Sequence, residues 1–243
     1  MEFLANPRFL RRRRAVNIGD VDIPILFQDS RFVVLNKPAG LPVHAGPGGR
    51  LSVEDYFPSL SRHRNGPWLA HRLDADTSGC LVVALRLAAL HAAQAEFAAG
   101  RAEKTYWAVV AGAPPEPEGT IDLALRKHAA PAGWRMVPDP AGQRAVTDWQ
   151  VRGRTETTAW LELRPRTGRT HQIRAHCAAL GCPILGDPVY GDGLGPLMLL
   201  ARAITLRLEP VLTATAPVPN AWKNKAGLRP DLPGAAPLDL DFF

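Results

Sequence analysis

His71-Arg72-Leu73-Asp74-Ala75-Asp76-Thr77-Ser78-Gly79-Cys80-Leu81 has a polar front that leads into the apolar run Leu81-Val82-Val83-Ala84-Leu85. A short unbroken run of this kind, rich in valine and leucine, reads as a buried strand. Asp76-Thr77-Ser78-Gly79 suits a type I turn, with Asp at its first position and Gly at its fourth. Asp74 is therefore expected just ahead of a tight turn, with a rigid strand behind it. A carboxylate held there beside His71 and Arg72 is how a chain presents a reactive acid to a cleft. The same residues also suit an ordinary turn with a salt bridge, so the rest of the chain must decide.

Upstream, Ile23 to Phe27 and Phe32 to Asn36 read as two strands joined by Gln28-Asp29-Ser30-Arg31. A loop stiffened by Pro38 and Pro42 follows, and Ser52 is placed to cap a short helix reaching Tyr56 or Phe57. Downstream, Leu87 to Ala99 is a helix by its Ala and Leu content and stops at Gly100. Lys104 to Gly112, with Tyr106 and Trp107, reads as a strand lying beside the one after Asp74. From Ile121 to Gln150 the signals weaken, with short strands expected around 135–137 and 145–151. Thr157 to Arg164 alternates as a half-buried strand. Thr170 to Leu180 is a helix with Thr170 as N-cap and Gly181 at its end. Its spacing puts Ile173, Cys177 and Leu180 on a core face, and His171 with Arg174 on another. Leu197 to Leu208 is a last strand. Strands and helices do not alternate, which argues for an α+β fold.

The chain has 243 residues, one large domain or two small ones, with the apolar content of a globular protein. No apolar run approaches a membrane-spanning length, and the N-terminal segment shows no signal-peptide core, so a cytoplasmic location is expected. Residues 1–20, with Arg8 and Arg11 to Arg14, read as a basic arm; 21–220 form the main domain and 221–243 a Pro-rich tail. The net charge of +6 is carried mostly by arginine, the better bidentate phosphate ligand, which suits a polyanionic partner. Cys80, Cys177 and Cys182 form neither a disulfide framework nor a paired zinc spacing.

Several chemistries are excluded by spacing. His171 and His176 are five apart, about 140° around a helix, and cannot share a metal-ligand face. There is no GxSxG nucleophile elbow and no GxxxxGK[ST] phosphate loop. Asp74 and Asp76 in one strand would lie about 7 Å apart, near the separation of paired glycosidase carboxylates. The turn expected at Asp76 breaks that pairing, leaving Asp74 as a single working acid.

Taken in order, the motifs resemble the RluA-type pseudouridine synthase family. Asn36-Lys37-Pro38-x-Gly40 begins the resemblance. His71-Arg72-Leu73-Asp74 with Asp76-Thr77-Ser78-Gly79, Lys104-x-Tyr106, and Gly168-Arg169-Thr170-His171-Gln172-Ile173-Arg174-x-His176 carry it. Leu180-Gly181-x-Pro183-Ile184-Leu185-Gly186-Asp187 and Tyr190-Gly191 extend it. The resemblance implies a mixed, largely antiparallel sheet flanked by helices around a central catalytic cleft. It implies isomerisation of uridine to pseudouridine in RNA, in tRNA or in stem-loops of large-subunit rRNA, by a monomer. Asp74 would be the catalytic carboxylate, either attacking the ribose C1′ or removing a ribose proton to give a glycal. Arg174 would pair with it, Tyr106 would pack on the base, and Arg72 would fill the stack left by the flipped nucleotide. His71, Arg169 and His171 would support them. No metal or organic cofactor is implied, since the uracil is never released and no redox change occurs. Leu199-Leu200-Ala201 stands where the family usually has Leu-His-Ala, so a supporting histidine is replaced. That replacement, with the basic arm, motivates the competing expectation of a non-catalytic RNA-binding or ribosome-assembly protein.

Overall fold

A computed structural model describes residues 15–223, except 19–20, 47–48, 62–64 and 131–132. The Arg11 to Arg14 arm and the tail beyond residue 223 therefore lie outside the described residues. The chain opens with strands β1 (Ala15–Ile18), β2 (Val21–Gln28) and β3 (Phe32–Lys37). A 3-10 turn over Val53–Tyr56 runs into α1 (Phe57–Leu60). β4 (Trp68–Leu69), β5 (Ser78–Ala84), α2 (Leu87–Ala98) and β6 (Glu103–Ala111) follow. Next come β7 (Glu118–Asp122), β8 (Leu125–Ala130), β9 (Gly133–Pro138), β10 (Val146–Arg154) and β11 (Thr158–Pro165). The described chain ends with α3 (Gln172–Ala179), β12 (Leu199–Leu206), β13 (Leu212–Thr215) and α4 (Asn220–Lys223).

Eleven strands form one sheet in the order β1-β2-β3-β5-β12-β6-β11-β10-β7, with β13 paired to β12 and β4 to β5; β8 and β9 form a separate ribbon. Only β5 and β12 pair in parallel, so the mixed, largely antiparallel α+β architecture expected from the sequence is present. Residues 15–18, counted with the arm in the sequence, pair with β2 as a strand. One expectation is corrected. β6, which carries Tyr106, does not lie beside β5, because β12 from the far end of the chain inserts between them. Nothing local signals such a long-range insertion.

The apolar run after Asp74 is explained by burial on both faces. Cys80, Val82 and Ala84 join one core with residues of α2, α3 and β12. Leu81 and Val83 join the other with Val33, Leu35, Tyr56 and Leu73. Alternate side chains of a strand point to opposite faces, so a strand covered on both sides must be apolar throughout. Each such leucine or valine taken from water contributes roughly 1.5–3 kcal/mol. Gly79, the second residue of β5, has φ 107°. It faces Ala201 across the parallel pair, and any Cβ there would strike the Ala201 carbonyl. Its glycine therefore serves close strand approach, not the fourth position of a turn. No helix among the described residues is long and apolar enough to cross a membrane.

Candidate active site

The turn at the start of β5 sits two residues earlier than its sequence suggests. The Thr77 N–H bonds the Asp74 carbonyl at 3.1 Å, so Asp74 is the first residue of the turn rather than its neighbour. The Ala75 carbonyl accepts from the Gly40 N–H at 2.9 Å and from Lys37 Nζ at 2.7 Å. Lys37 is fully buried and also donates to the Pro38 and Leu41 carbonyls, each at 2.8 Å. Burial lowers its pKa to about 8, with Asp76 and then Asp74 opposing the shift. One ammonium thus ties the 37–41 loop to the backbone beside Asp74.

Asp74 keeps 28% of its side chain exposed in a cleft of about 940 Å³. Its Oδ2 lies 3.4 Å from Arg174 Nη1 and 3.8 Å from His171 Nε2. Arg174 is only 3% exposed, and its other donors form a bidentate pair with Asp187, at 2.8 Å from Nε and 2.7 Å from Nη2. Burial disfavours the guanidinium charge, but the Asp187 hydrogen bonds and the charges of Asp187 and Asp74 outweigh it and raise the Arg174 pKa. Asp187 is fully buried and also accepts the N–H groups of Val189 and Tyr190, at 2.9 and 3.1 Å. Burial pushes its pKa up, and Arg174 with these N–H groups reverses that and holds it low. Asp187 lies in a quoted motif, but a turn-rich loop gave its carboxylate no role. Its partner is thirteen residues upstream on a helix.

The helix begins at Gln172, one turn-residue later than a Thr170 cap would place it, and the cap is His171 at φ 51°. This is the one non-glycine residue with positive φ among the described residues. Such a conformation costs on the order of 1–2 kcal/mol and persists only where its surroundings impose it. Here the imidazole stacks on Trp134, with centroids 4.8 Å apart at 24°, and its Nδ1 lies 3.2 Å from the Tyr190 hydroxyl. That hydroxyl already accepts the Met136 N–H at 2.8 Å, so its own proton is free for Nδ1. Nε2 is the ring nitrogen that faces Asp74. Burial lowers the His171 pKa, with Asp74 opposing, which favours the neutral ring. Gln172 locks the preceding loop. Its Oε1 accepts from Thr167 Oγ1 and the Arg169 N–H, and its Nε2 donates to the Val146 carbonyl and Thr147 Oγ1.

The remaining expected residues line the same cleft. Burial first, and then the Asp74 charge, raise the Tyr106 pKa, so its hydroxyl stays protonated. Arg72 is exposed at the rim, and Arg169 donates to the Arg144 carbonyl at 3.1 Å. His71 differs in kind. Its Nε2 accepts the Val82 N–H at 3.0 Å and its ring packs on Phe97. Burial and the nearby Lys104 charge lower its pKa to about 4, so it is a neutral brace between the 71–74 segment and β5. Leu200 is fully buried in the apolar core, and Leu199 rather than Leu200 lines the cleft.

Comparison with known proteins shows the family of the chain. Residues 31–179 match the family described as RNA pseudouridylate synthase. The chain is 44% identical over 208 residues to a Zymomonas mobilis protein named as an uncharacterized RNA pseudouridine synthase, covering 82% of this chain and 94% of that one. It is 37% identical to a similarly named Synechocystis protein over 67% of this chain, and spans about half (52%) of that protein's length. The solved structure of human RNA pseudouridylate synthase domain containing 4 matches with a TM-score of 0.70 at 32% identity, over 82% of this chain and 90% of that one.

Proposed function

The chain belongs to the RNA pseudouridylate synthase family, and from that premise we propose that Asp74 is the carboxylate with which it isomerises uridine in RNA. The enzyme is an isomerase: the N1–C1′ bond of a uridine breaks, the uracil turns, and C5 bonds to C1′. The observation that carries the assignment of Asp74 is its setting. It is a partly exposed carboxylate in a cleft of about 940 Å³, 3.4 Å from an arginine that a second, buried carboxylate fixes from behind. Arg174 holds Asp74 in one orientation, and because Asp187 takes Nε and Nη2, only Nη1 faces the reaction. Such preorganisation means the carboxylate need not be reoriented as charge develops at C1′. Tyr106, its hydroxyl neutral, supplies a ring wall against the uracil. Arg72, exposed beside Asp74, is placed to enter the stack vacated by the flipped nucleotide.

Arg169 and His171 support the same end of the cleft. The enzyme is taken to act as a monomer. The substrate is taken to be tRNA or a stem-loop of large-subunit rRNA, a polyanion suited to the net charge of +6. Mapping pseudouridines in both RNA classes, in a strain deleted for the gene and complemented with wild type or Asp74→Asn, tests target and residue together. Wild type should restore every missing site and Asp74→Asn none. Restoration by Asp74→Asn would overturn the assignment of the carboxylate.

A further inference from the structure

The β8–β9 ribbon holds no part of the Asp74–Arg174–Asp187 chain, yet it ends at the cleft. Residues paired across an antiparallel ribbon share a face, so Leu125, Lys127, Met136 and Trp134 lie on one side and Arg126, His128 and Arg135 on the other. Leu125 and Met136 pack inward with Ala145, Ala175 and Tyr190. That packing seats the ribbon and brings Trp134 over His171. Of the six tryptophans, all within the described residues, Trp134 alone is exposed, at 41%. Its indole lines the cleft, and His171 separates it from Asp74. Lys127 Nζ lies 4.5 Å from the indole centroid.

As plain packing this arrangement is uneconomical. The ribbon's own core is complete without Trp134, and covering His171 does not require an indole left open to water. An exposed aromatic plane with a lysine beside it is instead the kind of surface on which an unstacked base lies. Flipping one uridine leaves its neighbours without a stacking partner, and that demand arises next to Asp74. Resting on the synthase reading of the cleft, we propose that Trp134 is the platform for a nucleobase flanking the flipped uridine, and that Lys127 moves from the indole to that nucleotide's phosphate. A cation on an exposed indole is held more weakly than a stacked base, so RNA can displace it.

The test uses a fluorescein-labelled RNA hairpin that the wild-type enzyme converts, with single abasic sites placed in turn at the nucleotides flanking the target uridine. Trp134→Ala should weaken binding of the intact hairpin about tenfold, and Trp134→Phe should recover most of it. At one flanking position the abasic hairpin should bind wild type and Trp134→Ala alike, because the stacking partner is already gone. Lys127→Ala should reduce the slope of log affinity against log salt by about one. Wild-type affinity in Trp134→Ala, or the same loss on every abasic hairpin, overturns the platform. An unchanged salt slope overturns the role of Lys127. Failure of wild type to convert any tRNA or rRNA transcript would instead sink the synthase reading, which keeps the two outcomes apart.

Discussion

Arg174 carries its charge where almost none of it meets solvent, between a buried carboxylate and a working one. A buried ion pair is worth little against an apolar replacement, but removing one partner strands the other charge. Asp187→Ala should therefore cost about 3–5 kcal/mol in urea unfolding, and it should lower kcat by more than it raises KM. Wild-type kcat in a folded Asp187→Ala protein would mean that Arg174 holds its position without help. At this scale the residue types were legible, as was the Asp74–Arg174 pairing that the family resemblance implied, and the remaining connections were not. Asp74, Tyr106 and Arg174 stand in motifs that can be read directly. The bidentate partner of Arg174 could not be read, because a carboxylate inside a Gly-rich loop looks like any turn residue. The strained backbone of His171 was equally hidden, since Thr170 is the better N-cap by type and only the Trp134 and Tyr190 contacts favour its neighbour.

Among the elements, the turn that bears Asp74 depends on Lys37 at the end of β3. Its folded pKa of about 8 lies below the ordinary 10.5 because burial outweighs the opposing charges of Asp76 and Asp74. Below pH 8 both folded and unfolded chains hold the proton, and the native state bears the full cost of the desolvated ammonium. Between pH 8 and 10.5 the folded chain has lost the proton and the unfolded chain still binds it, so stability rises with pH through that window. Relative to Lys37→Met, wild type should gain up to about 3 kcal/mol over this range, measured as urea-unfolding free energy. Parallel pH profiles for the two proteins would show that Lys37 titrates normally. Elements that declare themselves by local pattern were legible: the doubly covered β5, the Ala-rich α2, and the β2–β3 hairpin. The ribbon of β8 and β9 was half missed. Arg126, Lys127 and His128 show no apolar alternation, and their strand is specified by pairing and by the inward packing of Leu125 and Met136.

For the whole molecule, the fold class followed from the irregular order of elements, while the strand order did not. The insertion of β12 between β5 and β6 joins residues some hundred positions apart. It brings Leu199 to the cleft wall and leaves Leu200, at the position of the replaced histidine, wholly in the core. The positive charge acts at this scale too. If phosphate contacts dominate RNA binding, affinity should fall steeply with salt, and removing residues 1–14 should lower the slope of log affinity against log salt. An unchanged slope would exclude the arginine arm from the interface.

The most direct measurement concerns the Asp74 carboxylate. RNA carrying tritium at uridine C5 loses that label to water when C5 bonds to C1′. Asp74→Asn, which keeps the shape of the side chain and removes its charge, should release no tritium while still binding the RNA. Release by Asp74→Asn at the wild-type rate would show that another group breaks the glycosidic bond.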